Sequence, residues 1–525
     1  MTRVIPSQRD SSSRVTTRHE AVEPEVTGEE QLERCAQDAV VAFEQWSVMA
    51  PPARARALVA AADGLCEFDD ELVALAMGET GLAESRLRGE LNRTAVQLRL
   101  FADVVVDGDY LDVRIDAADA DFALGARPDL RRALVPLGPV LNFSGGNFPF
   151  AFSVAGGDTA SALAAGCSVI VKAHPGHPAL SRRTAEVVAA ALAGAGAPAN
   201  TLQVIFGQDQ GVAMLADGRI RAATFTGSIR AGRLLADVAA RRPRPIPFYG
   251  ELGSVNPQFV TRARLAEDVA ELGAGFVASV ASSAGQFCTK PGFLFVSDVS
   301  ALAGPIRAAA EQVAEHRMLN PRIAAGYGRR REEVLATPGV EVIALGSMRV
   351  DENAQGWVTP TIVSVDVPAL QAAGATLLDE SFGPLAILVQ YEEESSLAEL
   401  AGRLFPGNLT SGVHALVDES TPALIALLDQ LQSCAGRILF NGWPTGVAVT
   451  PAMQHGGPWP ATTADVATSV GTAAIGRFLR GVSYQNFPQH LLAPMLRDDN
   501  PWGVPQRLAP AGESTSWGDR SRDPR

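Results

Sequence analysis

Cys288 and Glu251 are the two residues whose surroundings best suit chemistry. Cys288 stands in Ser282-Ser-Ala-Gly-Gln-Phe-Cys-Thr-Lys-Pro-Gly292, a loop of small residues after a helix-like segment. Polar neighbours, with Lys290 two positions on, suit an accessible nucleophilic thiolate. An inert core residue is the alternative for any lone cysteine. The other cysteines lie in alanine-rich or apolar helical patterns and are expected to be inert: Cys35, Cys66, Cys167 and Cys434.

Glu251 lies between an apolar strand and a Gly-Ser turn, within Pro247-Phe-Tyr-Gly-Glu-Leu-Gly-Ser-Val-Asn-Pro257. Its aromatic and glycine neighbours predict a partly apolar pocket. Such a pocket would raise the pKa of the carboxyl toward the working range of a general base. An exposed strand end is the alternative.

The composition excludes several classes of protein. The chain has 525 residues, 47% hydrophobic and 19% charged, as expected for a folded protein of two or three domains. A formal net charge of −14 argues against a nucleic-acid partner, because that surface needs clustered Lys and Arg. Five scattered cysteines without C-x-x-C spacing, and no H-E-x-x-H run, predict neither disulfides nor a metal and fit the cytoplasm. No apolar run reaches the ~18–20 residues of a membrane helix.

The elements that must position these residues follow an α/β pattern. Helical spacing dominates from Glu29 to about Gly108. After Pro139, short apolar runs alternate with helical segments, which predicts a parallel, doubly wound sheet. The predicted strands are 140–143, 168–172, 202–206 and 222–226.

Two further segments carry weaker patterns. Short apolar runs at Phe122-Ala-Leu and Ala133-Leu-Val predict a projecting β-hairpin. The tail beyond Asp498 is rich in Pro, Arg, Asp and Ser and is expected to be irregular.

Six motifs resemble, in order and spacing, those of the aldehyde dehydrogenase superfamily, over about residues 30 to 500. They are Asn147-Phe-Pro-Phe150, the segment 156–172, Phe225-Thr-Gly-Ser228, Glu251-Leu-Gly253, Gly285-Gln-Phe-Cys-Thr289 and Glu380-Ser-Phe-Gly-Pro384. The resemblance implies a Rossmann-like cofactor domain, an α/β catalytic domain and a β-hairpin oligomerisation element. The expected boundaries are 1–28 for a flexible leader, 29–120 with 138–252 for the cofactor domain, 121–137 for the hairpin, 253–470 for the catalytic domain, and 471–525 for a C-terminal return segment and tail.

The resemblance also implies roles for the residues that do the chemistry. Cys288 would attack the aldehyde carbon, hydride would leave for the nicotinamide, and Glu251 would activate the water that hydrolyses the thioester. The Asn147 amide and the Cys288 backbone N–H would stabilise the oxyanion. His455 stands where the related fatty aldehyde dehydrogenases have an active-site histidine; a loop histidine among glycines is the alternative.

On the cofactor side, the chain has no G-x-G-x-x-G fingerprint, and this family does not use it. Gly227 and Ser228 open a helix whose N-terminus would bind the pyrophosphate. Lys172 would bind the adenosine ribose, and Glu380, beside Phe382, the nicotinamide ribose. Pro175 replaces the Glu that NAD-preferring members carry here, while Lys172, His174 and possibly His177 offer positive or donor groups. NADP is therefore the preferred cofactor, with NAD tolerated.

Four segments narrow the resemblance within the superfamily: Ala173-His-Pro-Gly-His-Pro178, Glu251-Leu-Gly-Ser-Val-Asn-Pro257, Asn441-Gly-Trp-Pro-Thr-Gly-Val447 and Gln454-His-Gly-Gly-Pro458. With these the chain resembles the bacterial 2,5-dioxovalerate (α-ketoglutarate semialdehyde) dehydrogenases, with the fatty aldehyde dehydrogenases as the alternative. Arg93 and Gln97 share a helix face and are the candidate receptor for a substrate carboxylate, with Arg99 nearby; salt-bridged helix residues are the alternative. A homodimer or homotetramer is implied. Two other classes stay open: a cysteine acyltransferase or thioesterase, and an inactive binding protein on the same fold.

Overall fold

The computed structural model describes residues 26–521 and begins with a layer of four helices. These are α1 (Glu29–Trp46), α2 (Pro51–Glu67), α3 (Asp69–Thr80) and α4 (Glu84–Asp107). In α4, Leu87, Leu91, Leu98 and Phe101 recur at helical spacing and are fully or nearly fully buried. Gly108, at φ 71°, ends the helix, as glycine can adopt this left-handed conformation without a Cβ clash.

The next part of the chain builds the predicted parallel sheet. Its elements are β1 (Val113–Asp116), β2 (Leu130–Pro136), β3 (Val140–Phe143), α5 (Gly157–Ala165), β4 (Val169–Lys172), α6 (Pro178–Gly194), β5 (Leu202–Ile205), α7 (Gln208–Ala216), β6 (Ala222–Thr226), α8 (Ile229–Arg241) and β7 (Phe248–Glu251). Five of the strands pair in the order β5-β4-β3-β6-β7, all parallel. The prediction of a doubly wound sheet is confirmed. The carboxyl ends of β3, β4, β6 and β7 meet at one edge.

A second α/β unit follows. Its elements are β8 (Gln258–Val260), α9 (Arg262–Glu267), α10 (Val269–Ala281), β9 (Phe293–Val296), α11 (Val299–Glu311), β10 (His316–Arg317), α12 (Pro321–Leu335), β11 (Glu341–Ala344), β12 (Met348–Val350), β13 (Gly356–Val358), β14 (Thr361–Asp366), α13 (Val367–Ala373), α14 (Ala375–Leu378), β15 (Leu385–Gln390), α15 (Leu397–Leu404), β16 (Asn408–His414), α16 (Pro422–Cys434) and β17 (Ala435–Phe440). A seven-stranded sheet has the order β11-β14-β15-β9-β8-β16-β17 and is parallel except at β11. A small sheet, β10-β13-β12, stands apart.

A fourth sheet joins distant parts of the chain and corrects two predictions. It has the order β18-β2-β1-β19, with β18 (Leu479–Gln485) and β19 (Gln506–Ala509) from the C-terminal region. The predicted strand at Phe122-Ala-Leu is a turn around Gly125 (φ 98°), and β1 lies earlier in the chain. The tail beyond Asp498 is not irregular throughout, because β19 pairs in parallel with β1; that pairing uses backbone groups and needs no apolar run. Residues 1–25 of the predicted leader (1–28) lie outside the described part of the chain.

Candidate active site

Glu251, His455 and Cys288 meet in one cluster. Nε2 of His455 lies 3.0 Å from Oε1 of Glu251 and 3.6 Å from Sγ of Cys288. Glu251 is the last residue of β7, and a bridge to Thr462 ties it to the segment that follows His455. The Ser469 hydroxyl donates to Oε2 of Glu251. The sequence-predicted acid, thiol and histidine are therefore in mutual contact.

The pKa of the Glu251 carboxyl differs from the sequence expectation. Burial raises this pKa, but the charge of His455 and hydrogen bonds from His455, Ser469 and Cys288 lower it by more, so the net shift is downward. Glu251 is buried, but its polar partners stabilise the carboxylate. Glu251 is therefore ionised at neutral pH.

Burial and the neighbouring charge of Glu251 hold the pKa of the Cys288 thiol well above its usual range, while the Arg93 charge lowers it. The expected help from Lys290 is wrong, because its Nζ points away and donates to the Leu385 carbonyl at 2.7 Å. Because its pKa is raised, the thiol is protonated at neutral pH and needs a base. The residue as a whole is partly exposed.

A strained turn presents the cysteine loop. Ser283 and Ala284 have φ values of 49° and 54°, a conformation that residues with a Cβ rarely adopt. Gly285 follows at φ 65°, and a Cβ there would lie 2.4 Å from the backbone of Gly383. Asn256 then fixes the loop by donating from Nδ2 to the Cys288 carbonyl at 2.8 Å.

Asn147 lies against the same loop. Its Nδ2 donates to the Gln286 carbonyl at 2.9 Å, which uses one of the two amide protons. Its backbone carbonyl accepts from Arg86. Next to it, Phe148 stacks on Phe287 with ring centroids 5.3 Å apart. The remaining amide proton is available to a ligand beside Cys288.

The predicted cofactor residues line the carboxyl edge of the parallel sheet. Lys172 ends β4, and burial lowers its pKa. Gly227 and Ser228 are exposed at the start of α8, where the Ser228 hydroxyl accepts from the Ala231 N–H at 3.4 Å. These groups fit a phosphate, since a helix N-terminus offers unpaired N–H groups.

Glu380 and Phe382 reach this edge from the second unit. Burial raises the pKa of Glu380, and the Lys290 charge opposes that rise. Phe382 packs on the core of the first unit. Glu380 lies near the start of α8, since a Cβ built on Gly253 would lie 2.5 Å from its Oε2 and 3.5 Å from the Ile229 side chain.

The two histidines after β4 act differently from each other. Nδ1 of His174 accepts from the Gly176 N–H at 3.0 Å, which leaves the ring proton on Nε2. His177 is buried, and its ring binds the Ser181 hydroxyl and the Gly145 carbonyl. Burial lowers the pKa of both rings. Of the positive or donor groups expected here, His174 therefore offers a neutral donor, while the ring of His177 is used within the fold.

Arg93 faces the cluster from α4. Its guanidinium carbon lies 5.4 Å from the Phe152 ring centroid, and Phe152 in turn contacts His455. Nη1 and Nη2 are buried and have no hydrogen-bond partner within residues 26–521. Burial lowers the Arg93 pKa, and the charges of Glu90, then Cys288 and Glu251, oppose that shift without reversing it. A buried, unpaired guanidinium is costly, and an anionic ligand would relieve that cost.

Gln97 and Arg99, on the same helix, differ in their surroundings. Gln97 is buried, and its amide lies close to Gly157. Arg99 is partly exposed and pairs with Asp63 at 2.5 Å, so it does not join a receptor.

Sequence reasoning missed two residues of the site. Ser469 binds Glu251 from 218 positions away. Arg437, on β17, has Nε and Nη2 buried and unpaired in the part of the chain that the structure describes. Burial lowers its pKa, and the charge of Cys288 raises it. Gly436 and Arg437, near the start of β17, belong to no recognised sequence motif. Gly436 packs against the backbone of Gly456, next to His455, and this contact brings β17 to the site.

Among residues 26–521, no helix combines the length and apolarity that a bilayer crossing requires.

Comparison with known proteins identifies the family. The family model described as "Aldehyde dehydrogenase family" matches residues 7–458. Alpha-ketoglutaric semialdehyde dehydrogenase 2 of Azospirillum brasilense is 41% identical over 487 residues, 92% of this chain and 91% of the relative. Alpha-ketoglutaric semialdehyde dehydrogenase of Acinetobacter baylyi is 40% identical over 481 residues, 90% and 89%.

Solved structures share the fold. A 1-pyrroline-5-carboxylate dehydrogenase superposes with a TM-score of 0.74 at 20% identity, covering 88% of this chain and 86% of that one. An NAD-dependent aldehyde dehydrogenase from Sinorhizobium meliloti gives 0.72 at 22% identity, with 89% and 91% covered. The chain therefore belongs to the aldehyde dehydrogenase family and is an oxidoreductase that oxidises an aldehyde with NAD(P).

Proposed function

We propose that this enzyme oxidises α-ketoglutarate semialdehyde (2,5-dioxovalerate) to 2-oxoglutarate, with Cys288 as nucleophile and Glu251 as base. The observation that carries the substrate is the buried, unpaired guanidinium of Arg93 beside the thiol. A substrate with an aldehyde at one end and a 2-oxo acid at the other would give Arg93 a carboxylate partner. The names of the two relatives at 40–41% identity support the same substrate.

The proposed reaction begins with a proton transfer. The Cys288 thiol is neutral, and the ionised Glu251 is its hydrogen-bonding neighbour, so Glu251 takes the proton as Sγ attacks the aldehyde carbon. Glu251 then releases that proton to solvent, which frees the carboxylate for the second step, while Nε2–H of His455 donates to Oε1 at 3.0 Å. The free amide proton of Asn147 and the Cys288 N–H stabilise the oxyanion of the thiohemiacetal.

A bound nicotinamide supplies the hydride acceptor. Loss of hydride from the thiohemiacetal carbon leaves a thioester on Cys288. Glu251 then removes a proton from a water molecule that attacks the thioester, which releases the carboxylic acid and the thiol. Gly227, Ser228 and Lys172 would hold the phosphates and adenosine ribose, and Glu380 and Phe382 the nicotinamide end.

The proposed cofactor preference is NADP. Pro175 is exposed and brings no carboxylate that would repel a 2′-phosphate. Lys172 and the Nε2–H of His174 offer a charge and a donor, and the charge of Arg322 acts on His174 from the second unit. A kcat/KM for NAD ten or more times that for NADP would refute this preference.

A second candidate substrate is a medium- or long-chain aldehyde. Phe152, Val447 and Val470 form an apolar cluster with Phe148 and Met453 beside the thiol and His455. Such a wall would accept an alkyl chain. It leaves Arg93 unpaired, and for that reason it ranks second.

The two other classes that the sequence left open, a cysteine thioesterase or acyltransferase and an inactive binding protein, are set aside, because the chain is a member of the aldehyde dehydrogenase family with semialdehyde dehydrogenases as relatives.

An aldehyde panel tests the proposal. Dioxovalerate, succinate semialdehyde and hexanal are each mixed with enzyme and NADP, and NADPH absorbance is followed with C288S as the blank. Dioxovalerate should give the highest kcat/KM. Activity limited to hexanal would select the fatty aldehyde candidate, and no signal with any aldehyde would refute the oxidation of these substrates.

The enzyme is further proposed to form a homodimer or homotetramer through the β18-β2-β1-β19 sheet. β18 and β19 are its edge strands, and Phe487, Leu491 and Leu508 near them are exposed apolar residues. Sedimentation equilibrium should give the mass of two or four chains; a monomer at micromolar concentration would exclude both.

A further inference from the structure

The catalytic cluster has the ligand types and spacing of a zinc site. One sulfur, one nitrogen and one oxygen, from Cys288, His455 and Glu251, all lie within 4.8 Å of one another. Tetrahedral Zn²⁺ with ordinary bond lengths places its sulfur and nitrogen ligands about 3.6 Å apart and its nitrogen and oxygen ligands about 3.4 Å apart. The observed separations are 3.6 Å for Sγ–Nε2 and 3.0 Å for Nε2–Oε1.

We propose that Cys288, His455 and Glu251 bind one Zn²⁺, or the softer Cd²⁺, and that the bound ion reversibly inhibits the enzyme. The sulfur–nitrogen separation already matches. The carboxylate and imidazole need to part by only about 0.4 Å, since a hydrogen bond now holds them closer than a shared ion would. The ion occupies the sulfur that the aldehyde needs, so metal and substrate exclude each other.

Charge favours the ion. A Cys288 thiolate beside the Glu251 carboxylate would place two negative charges within 4.8 Å of each other. Zn²⁺ balances both charges. The Zn–S bond forms as the S–H bond breaks, and that proton passes to solvent. In a neutral His455 ring the proton on Nε2 moves to Nδ1, so that Nε2 can bind the ion; one proton is then released per ion.

The same contacts set the strength and selectivity of the site. Nδ1 of His455 is buried without a partner among the described residues, so no outer group orients the ring, and zinc affinity is lower than at structural sites. Mg²⁺ and Ca²⁺ require six or more oxygen ligands and find only one carboxylate here. A fourth zinc position stays open to water.

Equilibrium binding tests the site without aldehyde or cofactor, so it does not depend on the proposed substrate. Zn²⁺ is titrated into the full enzyme against a chromophoric chelator, and Co²⁺ is used for its thiolate charge-transfer band. We expect one equivalent at this site, proton release, and loss of the band in C288S. C288S and H455Q should each weaken Zn²⁺ binding more than about 100-fold, because the loss of a residue that only hydrogen-bonds to a ligand weakens metal affinity by about 10- to 100-fold.

The matched control is C66S, which removes an exposed free thiol on α2. It should bind Zn²⁺ as the unchanged enzyme does, and a chelator should restore activity to both. Equal affinity in H455Q or C288S, or loss of binding in C66S, would overturn the proposal. Circular dichroism of each variant shows whether it folds. If H455Q does not fold, C288S still tests the proposal, because it replaces only the sulfur atom by oxygen.

Discussion

Oε1 of Glu251 and Nε2 of His455 lie 3.0 Å apart, and both side chains are almost completely buried. This pairing decides the state of the base. Burial alone would raise the pKa of Glu251, and the pairing reverses the shift. A buried carboxylate with a lowered pKa contributes stability above its unfolded pKa, and this contribution is lost as the pH falls through the folded value.

The first prediction concerns the acidic limb of the pH profile. H455Q removes a charge and a hydrogen-bond donor from Glu251, so burial dominates and the pKa of the base rises. The acidic limb of kcat/KM against pH should move to higher pH. The part of the stability loss on acidification that comes from Glu251 should disappear, because a carboxyl whose folded pKa is raised no longer loses stability as the pH falls. H490Q changes an exposed histidine and should leave both curves in place. An unmoved limb in H455Q would show that Glu251 does not control it.

The second prediction concerns the substrate carboxylate. A charge-assisted hydrogen bond is worth about 1.5–3 kcal/mol, so R93A should lower kcat/KM for dioxovalerate about 10- to 150-fold. R437A should act in the same direction, because its Nε and Nη2 are also buried without a partner among residues 26–521 and its charge interacts with that of Cys288. Hexanal has no carboxylate, so its kcat/KM should fall much less, through the change in the Cys288 pKa alone. R99A, which breaks only the pair with Asp63, is the control; equal losses on both aldehydes would remove Arg93 from the receptor.

The third prediction concerns the oxyanion. N147A removes the amide beside Cys288 and should lower kcat about 10²- to 10³-fold, with little change in KM for the cofactor. N353A, on an exposed loop, should be unaffected. A change in KM alone would assign Asn147 to binding.

The fourth prediction concerns cofactor choice. P175E places a carboxylate where NAD-preferring relatives carry one, and it should lower kcat/KM for NADP and raise it for NAD, because the charge repels a 2′-phosphate. P175Q has the same size without the charge. If P175Q and P175E change the NADP to NAD ratio equally, repulsion is not the cause.

Much of the fold and several residues of the site could be predicted from local sequence patterns. The strands at 140–143 and 222–226 were predicted to their end residues, because buried parallel strands are short apolar runs. The residues of the cluster were also found, since Cys288, Glu251 and His455 stand in motifs. The strand at 113–116 and β19 were missed, because neither has a distinctive run and both depend on pairing with distant chain.

The sequence by itself determined which residues are present at the site and the order of the elements that carry them. Only the tertiary structure decided their electrostatic state. Lys290 follows Cys288 by two positions yet binds a distant carbonyl, while His455 is 204 positions from Glu251 and touches it. Arg437 reaches the thiol from a strand that no motif marks. A pKa depends on burial and on charges within a few ångströms, and those neighbours come from parts of the chain that only folding brings together.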